Sequence, residues 1–136
     1  MSVPKSQRGK SKLEVFEKAT DLIVYTLRIT SNKKVFDTHQ AVVTNKIVDL
    51  ALSVGQDIWD ANGIRVNDDV ERFERRHRLQ EDAIRECDVL LYYITIAKRV
   101  FHLSGKRVEY WGGLVREVKV LIRSWRDSDA KKYRHL

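Results

Sequence analysis

From Val70 to Ser104 the chain contains neither proline nor glycine. A stretch of that length without a breaker, opened by Asp68-Asp69-Val70-Glu71 with acids at the positive end of a helix dipole, predicts one continuous helix up to Gly105. It would run about 36 residues, roughly 54 Å at 1.5 Å per residue. A rod of this kind must lie against others of comparable length. The single proline, Pro4, and six glycines leave little room for a many-turned β architecture.

Three further helices follow from caps and periodicity. Ser11-Lys12-Leu13-Glu14 has the spacing of a capping box, and Leu13, Phe16, Thr20, Ile23 and Leu27 then recur every three or four residues, fading at Ser31-Asn32. Asp37 starts a second helix, with Val43, Ile47, Leu50, Val54 and Ile58 on its stripe and Asn62-Gly63 as its stop. Ser104-Gly105 opens the last, carrying Val108, Trp111, Val115, Val118, Ile122 and Trp125. Gly112-Gly113 within it weakens the helix, and a neighbouring backbone in close approach is the expected compensation. The expected fold is an all-α, antiparallel up-down-up-down four-helix bundle over 13–126. Basic tails at 1–12 and 127–136 flank it, the first disordered. At 136 residues the chain makes one domain. Its lone cysteine, Cys87, and the absence of a signal-peptide pattern or a long apolar run point to a cytoplasmic protein that spans no membrane.

Along helix three the apolar stripe is Val70, Phe73, His77, Gln80, Ile84, Cys87, Leu91, Ile94, Lys98 and Phe101, so two adjacent seam positions are polar. Glu74-x-x-His77 matches half of a di-metal bundle site, but no second such pair exists, and His77 is expected to be structural. Arg72, Arg75, Arg76, Arg78 and Arg85 alternate with Glu71, Glu74, Glu81 and Asp82, the pattern of a solvated face. The alternative is that this half overhangs its neighbours and meets another subunit through Arg75, Arg76, His77 and Gln80. Cys87 sits on the stripe as a small core residue. His39, His102 and His135 have no ligand spacing, and neither a nucleophile with its base nor a phosphate-cradling loop is present, so no cofactor or enzymatic activity is expected.

The net charge of +7 is concentrated at the ends of the chain. Arg116, Lys119, Arg123 and Arg126 fall on one flank of helix four, and Lys98, Arg99, Lys106 and Arg107 cluster around the turn before it. With no apolar flank expected beside it, such a stripe suits a polyanion, RNA or DNA, rather than a lipid surface, and self-association would multiply its field.

The segment "RLQEDAIRECDVLLYYITIAKRVFHLSGKRVEYWGGLVREVKVLIRSWRDS" resembles the C-terminal half of the accessory variability determinant proteins of diversity-generating retroelements. Ala97-Lys98, Leu103-Ser104, Tyr110, Glu117 and Trp125 occupy the matching places. Helix one, "LEVFEKATDLIVYTL", is similar to the start of the related four-helix proteins encoded in rRNA intervening sequences. The chain departs from the family at Arg123-Ser124-Trp125, where Gly-Gly-Trp is usual. It departs from the intervening-sequence group at "SVGQDIWDA", where a proline is usual. The resemblance implies a homopentamer with a basic exterior that associates with a reverse transcriptase and its template RNA or cDNA in mutagenic cDNA synthesis, without catalysing anything. The other expectation is a protein-interaction scaffold that does not itself bind nucleic acid.

Overall fold

A computed structural model describes the backbone of residues 5–136 and the side chains from residue 14 onward. Four helices, α1 (Lys5–Thr30), α2 (Ala41–Gly63), α3 (Val70–Val100) and α4 (Gly105–Lys132), pack against one another, and a 3₁₀ turn at Thr38–Gln40 leads into α2. There is no strand among the described residues, and no helix among them is long and apolar enough to cross a membrane.

The starts follow local chemistry. Asp37 accepts the His39 N–H at 3.0 Å and so caps the 3₁₀ turn rather than α2 directly. Asp69 accepts the Glu71 and Arg72 N–H groups at 2.9 and 3.2 Å, and Ser104 accepts that of Arg107 at 3.1 Å. The ends depart further from expectation. α3 stops at Val100 without a glycine: His102 takes the left-handed conformation (φ 55°), and the Leu103 N–H turns back onto the Lys98 carbonyl at 3.1 Å, a Schellman-type closure. α1 is already helical from Lys5, so the Ser11 box lies inside a helix. Residues 5–12 continue α1 as its first turns. Residues 1–4 lie outside the described residues.

Each helix packs on the next in the chain, and α4 packs back on α1. The core is filled by Leu22, Ile47, Val54, Ile58, Leu90, Ile94, Val115, Val118 and Ile122 around Trp111, all essentially inaccessible. Trp111 carries the one indole N–H at the centre, and it donates to the Thr26 hydroxyl at 3.0 Å. That bond is why a threonine can be buried in α1, since an unpaired N–H there would cost about 1–3 kcal/mol. Phe36 lies tilted against Phe101 at 4.7 Å and edge-on to Trp111 at 5.9 Å, so the α1–α2 and α3–α4 links close the same end of the core.

The expected stripe of α3 is shifted by one position at its start. Val70 and Lys98 are exposed and His77 is half-buried, while Arg76 is buried instead. The reason lies in α4. Asp129, assigned on sequence to a solvated tail, is buried and receives Arg76 Nε at 2.7 Å, Arg76 Nη2 at 2.9 Å and Gln80 Nε2 at 2.8 Å. Arg76 also donates to the Ile64 carbonyl at 3.2 Å and lies over the Trp125 ring. Residues 127–132 therefore belong to the helical body. Arg76 and Gln80 are buried inside the protomer with donors turned onto Asp129, while Gln80 Oε1 is buried without a partner.

The Gly112-Gly113 expectation is also corrected. A Cβ at Gly113 would meet nothing within 4 Å, and the three atoms nearest to one at Gly112 all belong to the Arg116 guanidinium of the same helix, the first at 3.1 Å. Close approach occurs instead at Gly55, where a Cβ would lie 2.6 Å from Ile23 Cδ1 of α1.

Deleting residues 127–136 should cost about 3–5 kcal/mol in a urea unfolding experiment, because it strands the buried Arg76 charge. Deleting only 134–136 should change stability by less than about 0.5 kcal/mol.

Candidate nucleic-acid interface

The basic column of α4 faces an acidic column of α3. Lys119 Nζ lies 2.6 Å from Asp88 Oδ1, and Arg126 lies 3.1 Å from Glu81 and 3.0 Å from Asp127. Partial burial works against the Arg126 charge, but the Asp127 and Glu81 carboxylates outweigh it and raise the pKa. Arg116 and Arg123 are exposed, and neither has a carboxylate partner among the described residues. The structure thus divides the sequence-predicted stripe into two paired and two unpaired cations. Val120, on the same helix, is 59% exposed, so the stripe does not lack an apolar neighbour.

The larger positive surface is at the end of the core closed by Phe36 and Phe101. There α3 ends with Lys98 and Arg99, α4 begins with Lys106 and Arg107, the last turn of α1 adds Arg28, and the link after it adds Lys33 and Lys34. None of the seven has a carboxylate within 4.0 Å among the described residues. Of the acids at this end, Asp37 is engaged as a cap and Glu109 is exposed. Tyr110, 58% exposed and edge-on to Tyr25 at 5.0 Å, stands beside these cations. An exposed ring next to uncompensated cations offers a base a stacking surface and its phosphate a counter-charge. The sequence shows Lys98, Arg99, Lys106 and Arg107 as a group but not Arg28, Lys33 and Lys34, which lie more than sixty residues away in the chain and join the others through the packing of α1 and Phe36 on this end.

Other titratable groups are occupied in packing. His77 Nε2 is 3.4 Å from Glu81 and its ring lies against Phe73, while Nδ1 is buried without a partner. Among the described residues no cluster of three or more His, Cys, Asp or Glu could hold a metal. Burial pushes the Cys87 thiol up to about 12, which keeps it protonated and unreactive. Arg75 is exposed near the α2–α3 link, away from the α3–α4 end.

Between α2 and α3, Asp57 and Glu86 meet carboxyl to carboxyl, with Asp57 Oδ2 and Glu86 Oε2 shielded from solvent and given no donor by any other group. Two carboxyls in this arrangement are satisfied by sharing a proton. Burial, and then the Asp57 hydrogen bond and charge, push Glu86 up to about 8, while Asp57 is raised mainly by burial. The folded state therefore binds a proton that the unfolded chain releases near 4.5, the ordinary value for the carboxyl. Stability should fall as pH rises through that window and level off above about 8. Urea midpoints at about pH 5 and about pH 8 should show the decline in the wild type, and Glu86→Gln should flatten it. An equal decline in both proteins would contradict the shared proton. No protein-family model matches the chain, and no curated protein or solved structure matches it.

Proposed function

We propose that this protein is a non-catalytic, oligomeric nucleic-acid-binding accessory subunit that associates with a reverse transcriptase and its template RNA for mutagenic cDNA synthesis in a diversity-generating retroelement. The observation that carries the nucleic-acid part is the uncompensated basic end formed by Arg28, Lys33, Lys34, Lys98, Arg99, Lys106 and Arg107. Like charges held together without carboxylates repel one another, and a polyanion relieves that repulsion while releasing its own counterions. The reverse-transcriptase association and the pentameric state rest on the resemblance of the 78–128 segment to the accessory variability determinant family.

An antiparallel up-down-up-down course agrees with the side-chain pairs. Glu81 and Asp88 of α3 meet Arg126 and Lys119 of α4, and Lys18 and Thr26 of α1 meet Glu117 and Trp111. In both cases one residue number rises as the other falls. The same course places the long rods side by side and gathers the basic turn and the Lys33-Lys34 link at one end. Self-association is supported by an apolar groove of about 320 Å³ between α1 and α2, lined by Phe16, Ile23, Leu52, Gly55 and Trp59, with Trp59 69% exposed. Apolar surface of this kind is where a protein partner gains most from exclusion of water.

The second reading, a protein-interaction scaffold without direct nucleic-acid binding, is favoured by the pairing of Lys119 and Arg126 with Asp88, Glu81 and Asp127. Fluorescence anisotropy with a structured RNA separates the two. The first reading predicts binding at low salt with log K falling linearly against log salt. Replacing Lys98, Arg99, Lys106 and Arg107 by glutamine should weaken binding at least about tenfold and reduce the slope by roughly one per lost contact. Replacing Lys119 and Arg126 should have a smaller effect. No binding at low salt would leave the scaffold reading.

A further inference from the structure

The end opposite Phe36 and Phe101 holds a second group of cations arranged differently from the first. The link from α2 to α3 folds around an open cleft of about 320 Å³ lined by Gly63, Ile64, Arg65, Asn67, Arg72 and Arg75. Three arginines line it, and no acidic residue does. All three are exposed at the surface, and none is within 4.0 Å of a carboxylate among the described residues.

Carboxylates are close in sequence, yet two of them are engaged elsewhere. Asp69 is turned onto the first N–H groups of α3, and Asp68 meets His135 at 3.1 Å. Glu71, together with Asp69 and Glu74, lines the neighbouring depression on the other side of Arg72 and Arg75. The link itself is held in shape. Asn67 and Asp68 both take left-handed backbone conformations (φ 50° and 58°), an arrangement that costs free energy even for these two residue types. The carbonyl of Ile64 is fixed by the buried Arg76 at 3.2 Å, and that of Arg65 receives Arg72 Nη1 at 3.5 Å. The cleft is thus tied through Ile64 to the buried Arg76, with its exposed arginines near the positive end of the α3 dipole.

We propose that the Arg65, Arg72 and Arg75 cleft is a binding site for a dianionic phosphate group. Guanidinium donors form paired hydrogen bonds to phosphate oxygens, and three of them around one cleft match the charge and oxygen count of a phosphate monoester better than a single carboxylate. The volume admits the phosphate and the sugar attached to it. The phosphate could belong to a free nucleotide or to the 5′ end of a nucleic acid, and the chemistry of recognition is the same. This site is separate from the basic end and stands without the function proposed above.

The test follows backbone amide shifts in NMR spectra at low ionic strength while inorganic phosphate is added, with chloride as the control. Residues 63–75 should shift with a Kd of about 10 mM or tighter. Combining Arg72→Gln and Arg75→Gln should weaken the binding at least about tenfold, whereas Lys98→Gln with Lys106→Gln should leave it unchanged. Circular dichroism of the exposed arginine variants checks that they remain folded. A nucleoside monophosphate, and one oligoribonucleotide with either a 5′-phosphate or a 5′-hydroxyl, then identify the source. Preference for the 5′-phosphate that is lost in the arginine variant assigns a nucleic-acid end, and tighter binding of the monophosphate without that preference assigns a free nucleotide. Absence of shifts at 63–75, or shifts equal in the arginine variant, overturns the proposal.

Discussion

A buried ion pair sets how α3 and α4 lie along each other. Arg76 and Asp129 are each 7% exposed and meet through two short hydrogen bonds, with Gln80 supplying a third donor to the same carboxylate. Hydrophobic seams slide easily, because one leucine or valine substitutes for another along a stripe. A buried charge with one matching partner does not, since misalignment leaves it unpaired in a poor solvent. The pair therefore selects one axial position of α4 on α3. From that position Lys119 meets Asp88 and Arg126 meets Glu81 further along the same contact.

The charge distribution follows from this alignment. With the two columns in register, Lys119 and Arg126 are neutralised, Arg116 and Arg123 stay unpaired along α4, and further unpaired cations gather toward the ends. One end gathers seven around the Phe36 and Phe101 closure, and the other presents three arginines around the α2–α3 link. The net charge of +7 alone would suggest a uniformly basic rod. The folded chain instead has a positive region at each end and, between them, a flank on which acids compensate Lys119 and Arg126 but not Arg116 and Arg123, a pattern that favours binding at defined places over uniform coating by a polyanion.

Much of the fold was legible because caps and periodicity are local. Asp69 and Ser104 cap the helices expected to open at Asp68-Asp69 and Ser104-Gly105, and Ile47, Val54, Ile58, Val115, Val118 and Ile122 are buried as their period requires. What failed depended on distant partners. Arg76 reads as one of five arginines on a polar face until Asp129, 53 residues away, is brought beside it. Asp129 in turn reads as tail because the apolar period of α4 ends at Trp125. The α3 stop was misplaced because His102, rather than a glycine, adopts the left-handed conformation. The candidate site divides in the same way. Lys98, Arg99, Lys106 and Arg107 are neighbours in sequence and were visible there, whereas the Lys33-Lys34 contribution and the neutralisation of Lys119 and Arg126 emerge only once the helices are packed.

A double-mutant cycle on Arg76 and Asp129 tests most directly whether this pair fixes the alignment. Arg76→Met, Asp129→Leu and the combination would be unfolded in urea under identical conditions. Each single replacement should cost about 3–5 kcal/mol by stranding a buried partner, and the double should recover a large part of that loss, a coupling of at least about 2 kcal/mol. Single effects below about 1 kcal/mol that simply add in the double variant would contradict it.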